Sequence, residues 1–390
     1  KALDQGDRDR AAKLAQKALE SATEGTPEHT AAKWTLKRAR SSAVLQPNRI
    51  AVLLPMSDKY ALVGKQIEEA LRWGYEGGGG RAELVFIDTK GTNEGAVAAL
   101  EQAVLEQGVI AVVGPLLSDA APMVVEAAQG LQVPLLSISQ ANELADDPWV
   151  FQGVPTTGDQ AEALAEHMVK VDGAKTFGIF APDSSNGHRA AEAFRAAVTA
   201  RGGEIAGETF YDTEAKALMP FAAELGKKDP KARGWELQKL REAAKEAGRD
   251  PSTVVLPPAV EFDAIFIPDN ARNVALAAAA LAYEEFSVGD FRAKVGAKTA
   301  TLIGLSGWNH QSLVTSGNEY VRNSRFTEFF LDGSNPDFAR DFKGALSRDP
   351  SPLEAAVVDA GRLLAKATGA DRPAFAESLG QVTIERTTTG

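Results

Sequence analysis

Cysteine is absent from this 390-residue chain, which excludes disulfides, thiolate metal sites and cysteine nucleophiles. Histidine occurs only four times, and no HExxH or clustered His/Asp motif points to zinc. No apolar run reaches the roughly 18 residues expected of a membrane-spanning helix. Basic residues are outnumbered: the net charge is −11. That balance argues against nucleic acid and against anionic membrane surfaces, both of which call for a basic face. The phosphate loop GxxxxGK[ST] is missing, no GxGxxG follows the first strand, and no GxSxG surrounds a serine. No cofactor is therefore expected. What remains is 44% hydrophobic and 24% charged, the composition of a globular chain long enough for two domains. It opens KALDQGDR, without a methionine or a signal peptide, and reads as a mature segment.

Residues 1–46 differ from the rest. QGDRDRAAKLAQKALE places Ala11, Leu14, Ala15, Ala18 and Leu19 on one helical stripe. Thr26-Pro27-Glu28 then reads as an N-cap, a proline at the first helical position and an acid in the first turn. A second helix, EHTAAKWTLKRARS, follows. The first stretch resembles the second helix of a tetratricopeptide repeat, with Gly6, Ala11 and Ala18-Leu19 where such a repeat packs helix on helix. One pair cannot bury its face alone, so a longer helical array is expected upstream. A DNA-binding helix-turn-helix is the rival reading of this mildly basic fragment, but the helices are long for it.

From Arg49 onward, strands alternate with helices. RIAVLLPM, ELVFIDTK, VIAVVGP and VPLLSIS read as buried strands separated by helical segments. The pattern then repeats with KTFGIFAP, EIAGETFY, DAIFIP and TATLIGLSG. This predicts an α/β fold of two doubly wound parallel-sheet lobes facing across a cleft. Residues 227–260 interrupt the second lobe as a charged, proline-bounded surface insertion.

In open α/β sheets, ligands bind beyond the carboxyl ends of the strands. Those ends are short and polar throughout: Ser57, then Leu117 and Ser118, then Ser137, Ser139 and Gln140 in the first lobe. In the second they carry Asp183 and Asn186, then Asp269, then Ser306, Trp308 and Asn309. Tyr60 stands just beyond the first strand. Several sit at helix starts, where free N–H groups favour a carboxylate or other anion. Gly114-Pro115 is expected to break the third strand, leaving Ser118 to cap the next helix and to face a ligand. Asp183 and Asp269 are candidates for a carboxylate pair, with helix capping as the alternative. His188 and His310 lie near strand ends, but no triad spacing supports a hydrolase. The chain is read as non-catalytic.

RIAVLLPMSDKYALVGKQIEEAL, VIAVVGPLLSDAAPMVVEAAQGLQVPLLSIS and KTFGIFAPDSSNGHRAAEAF together resemble the type I periplasmic binding proteins, especially the Leu/Ile/Val-binding branch. The tetratricopeptide-like segment, SxSQ, FIPD and GWN narrow the resemblance to penicillin-binding protein activator lipoproteins. The resemblance implies a periplasmic, lipid-anchored receptor for a small polar ligand, amino-acid-like or otherwise anionic. Its partner would be an ABC-type permease or a peptidoglycan synthase. It also implies a ligand carboxylate at Ser118, with Ser139 and Gln140 beside it. The acid that holds an ammonium group in amino-acid-binding relatives is replaced by Ser306, and a second-lobe aromatic by Asn186. Trp308 either stacks on the ligand or covers the hinge. Three chain crossings are implied, with 47–154 plus 335–376 as one lobe and 155–334 plus 377–390 as the other. Because the family continues past its final turn, the terminus at Thr388-Thr389-Gly390 is expected to be incomplete.

Overall fold

Strand β1 (Gln46–Leu54) ends in five consecutive buried residues, Ile50 to Leu54, as a strand covered by helices on both faces must. In the computed structural model, which describes residues 2–3, 6–142, 147–292, 298–331, 333–384 and 387–388, it sits second from the edge of a parallel sheet. The others are β2 (Glu83–Asp88), β3 (Val109–Val113), β4 (Leu135–Ser137) and β5 (Val150–Gln152), in the order β2-β1-β3-β4-β5. One face is packed by helices Ala61–Gly77 and Pro352–Lys366 through Ile67, Leu71, Val357 and Val358. The other is packed by Asn93–Glu101 and Ala121–Leu131 through Leu100, Val124 and Ala128.

The second sheet repeats the plan. It contains β6 (Thr176–Pro182), β7 (Glu204–Tyr211), β8 (Ala264–Phe266), β9 (Ser287–Val288), β10 (Thr299–Gly304) and β11 (Arg325–Phe326). Their order is β11-β10-β8-β6-β7, and β9 pairs separately with β10. Every pairing in both sheets is parallel. Both sheets reverse their winding at one point, between β1 and β3 and between β6 and β8. Such a reversal leaves a crevice at the carboxyl ends of the strands.

The chain divides into two compact units, 1–156 with 329–390 and 157–328. The C-terminal stretch from 377, expected with the second lobe, groups with the first. Thr388 shows why: its N–H and hydroxyl both donate to Asp359, at 2.6 and 2.8 Å, and its hydroxyl also reaches the Ala355 carbonyl. The expected third crossing has no counterpart among the described residues, and Thr389 and Gly390 lie outside them.

The helix pair Arg8–Ser21 and Pro27–Arg40 belongs to the first unit. Its expected stripe needs correction: Ala11 and Ala15 are buried, but Leu14 is 56% exposed and Ala18 is also exposed. The second helix makes the main attachment. Trp34 is 2% exposed and lies so close to Gly130 that a Cβ there would stand 2.3 Å from the indole. Its Nε1 donates to Glu126 at 3.3 Å. The pair thus covers its apolar face with the first unit's own helix Ala121–Leu131.

In the second unit the insertion forms helix Gly234–Glu246, of which only Ala244 is buried. It is anchored at its base. Arg233 donates to the Pro257 carbonyl at 2.8 Å, and Lys228 donates to the carbonyl and carboxylate of Glu284. Asp263, just before β8, ties the start of β6 to β8. One carboxylate oxygen accepts from the N–H groups of Lys175 and Thr176 and from the Thr176 hydroxyl, each at 2.9 Å. The other faces Lys298 Nζ at 2.7 Å. Partial burial pushes this carboxyl's pKa up, but Lys298 and the three donors outweigh it and hold the pKa well below the usual carboxylate range.

Two outcomes follow from these contacts. Trp34→Ala removes the indole between the helix pair and the first unit and costs about 3–5 kcal/mol. Urea unfolding will register the loss, and limited proteolysis will cut the link between residues 41 and 46 faster than in the parent. Asp263 has a depressed pKa in the folded state, so its stabilisation is complete above the unfolded value of about 4 and fades as pH falls below it. Asp263→Asn should lower stability at pH 7 by roughly 1–3 kcal/mol. Unfolding curves should show that gap shrinking from about pH 4 downward.

Candidate functional site

In the first unit, β3 runs parallel to β4 and leaves the sheet at Gly114, whose N–H donates to the Leu136 carbonyl at 2.9 Å. Gly114 has φ +116°, a conformation that side chains resist, and a Cβ there would stand 2.7 Å from the Leu53 carbonyl of β1. Only glycine lets the chain turn here, against the neighbouring strand. The turn that follows carries Leu117 and Ser118, both half-buried.

Ser118 does not cap the next helix. That helix starts at Ala121 with Ala120 in the cap position and no side-chain hydrogen bond to it. A tighter turn, with the Ala120 N–H on the Leu117 carbonyl and the Ala121 N–H on the Ser118 carbonyl, takes the place of the cap. The consequence is chemical: among the described residues, the Ser118 hydroxyl and N–H make no hydrogen bond.

Next to it, β4 ends in Ser137, and Ser139 follows two residues on. Both are fully buried, and their hydroxyls are paired at 3.0 Å. Gln152 of β5 closes this corner by donating to the Ser139 and Val154 carbonyls at 2.8 and 2.6 Å. Gln140 follows, half-buried. On the other side, Ser57 follows β1 and lies near Asp88 at the end of β2, where it helps to lower that carboxyl's pKa. Asp88 also accepts from the N–H groups of Met56 and Lys90, each at 2.8 Å. Slight burial raises the Asp88 pKa, but these donors outweigh it and hold it low. Tyr60 lies half-buried over Gly91, with Lys59 Nζ 4.8 Å from its ring centre. Parallel pairing therefore brings Ser57, Leu117, Ser118, Ser137, Ser139 and Gln140 to one edge of the first sheet. Asp88 and Gln152 share that edge but were not singled out in the sequence. Their signal was position alone, a polar residue as the last of a strand.

The second unit treats its polar residues differently. Asp183 is exposed and bonds His188 at 2.7 Å, and the His188 ring stacks on Phe210 with centres 4.0 Å apart. Asn186 accepts from Arg189 one helical turn away. Asp269 is engaged on both oxygens: Tyr211 Oη donates at 2.7 Å and Asn273 at 3.1 Å, and Asn270 adds main-chain and side-chain donors at 2.6 and 2.8 Å. Burial first, and then the neighbouring Asp269 charge, push the Tyr211 phenol up and keep it protonated as a donor. Neither aspartate caps a helix; Ser184 and Asn270 do so. Nor do the two form a pair, since each carboxylate has its own partners.

Ser306 is held by its N–H, which donates to Gln160 at 3.0 Å, and Asn309 is exposed just beyond it. Trp308 is 1% exposed, packs in the second unit's core and donates to the Ile267 carbonyl at 2.9 Å. Buried in this way, it is a core residue rather than a stacking platform. His310 caps a short helix and bonds Ser312 at 2.7 Å. Among the described residues, no cluster of histidines and carboxylates suits a metal ion, and no helix is long and apolar enough to cross a membrane.

The relatives agree with this architecture. The leucine-binding protein LivK of Thermotoga maritima superposes with a TM-score of 0.61 at 20% identity, covering 89% of this chain and 90% of that one. The branched-chain amino acid binding protein LivJ of Streptococcus pneumoniae, solved with isoleucine, gives 0.60 at 19% identity over 88% and 91%. In sequence, the penicillin-binding protein activator LpoA of Mannheimia succiniciproducens is 31% identical over 174 residues. That match spans 43% of this chain and 29% of the relative, so it reaches less than a third of the relative's length. The family model described as "Periplasmic binding protein" matches residues 47–390. The family is one of binding proteins rather than enzymes. By that match over most of its length, the chain belongs to the periplasmic binding protein family.

Proposed function

We propose that this chain is an extracytoplasmic solute receptor whose small polar ligand carries a carboxylate or similar anionic group, seated on the turn after β3. One observation carries the reading. Ser118 offers a half-buried hydroxyl and N–H, both without a hydrogen bond among the described residues, at the sheet edge beside the winding reversal. A ligand oxygen there gains two donors without breaking an existing bond. Ser139 and Gln140 shape the neighbouring turn, and Ser57 and Tyr60 stand at the next strand end. The two acids at the second unit's strand ends are engaged by neighbours, Asp183 by His188 and Asp269 by Tyr211 and Asn273. That favours an anionic metabolite over a free amino acid with an ammonium group to satisfy. Asp183, Asn186, Ser306 and Asn309 are the second unit's candidate ligand-binding residues, and a ligand that prefers one conformation would shift the population towards it. Some solved structures of similar fold, such as one from Sphaerobacter thermophilus, are named as ABC transporter substrate-binding proteins, which supports a permease as the partner and the periplasm as the compartment.

A second reading rests on the partial likeness to LpoA and on the helix pair fixed to the first unit by Trp34. Here the protein is a lipid-anchored activator whose partner is a peptidoglycan synthase.

Thermal denaturation against a panel of carboxylates, amino acids and dipeptides separates the two. A ligand at about 100 times its Kd adds about 2.7 kcal/mol and raises the melting temperature by several degrees. Ser118→Ala should weaken that ligand about tenfold. A shift that Ser118→Ala leaves unchanged contradicts the site. No shift with any ligand, together with capture of a synthase by the purified protein, selects the second reading.

A further inference from the structure

A cavity of about 540 Å³ lies within the first unit, between the helix pair and the sheet. It is at the opposite end of the sheet from Ser118, since its wall includes the residues just before β3. Among the described residues, Arg8, Arg38 and Arg372 line it with one carboxylate, Asp371, and Arg8 Nη2 donates to the Arg38 carbonyl at 3.4 Å. Asp371 is already engaged, accepting from the Ala374 N–H at 2.9 Å as the cap of helix Arg372–Gln381.

Arg372 is held rigidly. Its Nε and Nη2 donate to the Val109 carbonyl at 3.1 and 2.9 Å, and Nη2 also approaches the Val104 carbonyl at 3.4 Å. Its Nη1 makes no hydrogen bond among the described residues, and neither Arg372 nor Arg8 forms an ion pair there. Burial, and then the nearby Arg38 charge, lower the Arg372 pKa to about 10, which still leaves it cationic at neutral pH. A guanidinium drawn out of water without a counter-charge is costly, and a bound anion offsets that cost. The rest of the wall is largely apolar, with Leu105 and Trp149 prominent. The volume matches that of small-molecule sites.

We propose that this cavity is a second ligand site, distinct from the turn at Ser118, and that it takes a small organic anion: a carboxylate with an apolar body. The carboxylate lies against Arg372 and Arg8, where planar guanidinium donors match its two oxygens. The apolar body lies along Leu105 and Trp149.

Isothermal titration of the whole protein with sodium octanoate, below its micellar range, tests this, with inorganic phosphate as the anion that lacks an apolar part. Octanoate should bind at one saturable site. Arg372→Gln and, separately, Arg8→Gln should each weaken it about tenfold or more. If Arg372→Gln fails to fold, the exposed Arg8→Gln decides the matter. Absence of saturable octanoate binding, or unchanged affinity in the folded variants, overturns the site. Phosphate binding as tight as octanoate overturns the apolar half of the proposal.

Discussion

The backbone at Gly114 governs the first unit. β3 is buried on all sides, hemmed between β1 and β4, and has to leave the sheet without colliding with the Leu53 carbonyl. A positive φ solves the problem, and glycine is the residue that adopts it cheaply. Everything downstream follows from that departure: the tight turn to Ala120, the late start of the helix at Ala121, and a serine whose donors no helix end consumes. Had Ser118 capped the helix, its hydroxyl would be spent on a main-chain N–H. The tighter turn is what leaves the Ser118 donors available for the proposed site.

The two units share a winding order but use their strand ends differently. The first keeps donors available at Ser118 and buries Ser137 and Ser139 as a hydroxyl pair. The second ties each acid to a neighbour: Asp183 to His188, Asp269 to Tyr211 and Asn273. A buried tyrosine that stays protonated makes Asp269 an internal acceptor, worth more as part of the fold than as a ligand for a cation. This asymmetry is the physical ground for favouring an anionic ligand.

Much of the fold was legible in the chain itself. Runs such as RIAVLLPM and VIAVVGP are apolar at every position, which only strands buried on both faces tolerate, and their alternation with helices dictates parallel sheets. The edge that carries the candidate site was legible for the same reason, since parallel strands put their polar ends together. Side-chain commitments were not. Trp308 follows a strand and reads as either a stacking platform or a hinge cover, but its indole turns into the core and finds the Ile267 carbonyl. Leu14 fits a helical stripe yet faces outward, because the helix pair docks through Trp34 of the other helix. Asp88 and Gln152 were invisible because their roles depend on donors and acceptors from neighbouring strands. The C-terminal stretch joins the first unit through Asp359 and Thr388, a pairing 29 residues apart that no local pattern encodes.

The account rests on an anion landing at the turn after β3, and amide NMR reads that turn directly. The protein, labelled with ¹⁵N, would be titrated with whichever compound stabilises it most. The account predicts that the Ser118 amide moves downfield by the largest amount and saturates with the stability gain. A saturating titration in which the amides of residues 117–120 stay still while those elsewhere move would contradict it.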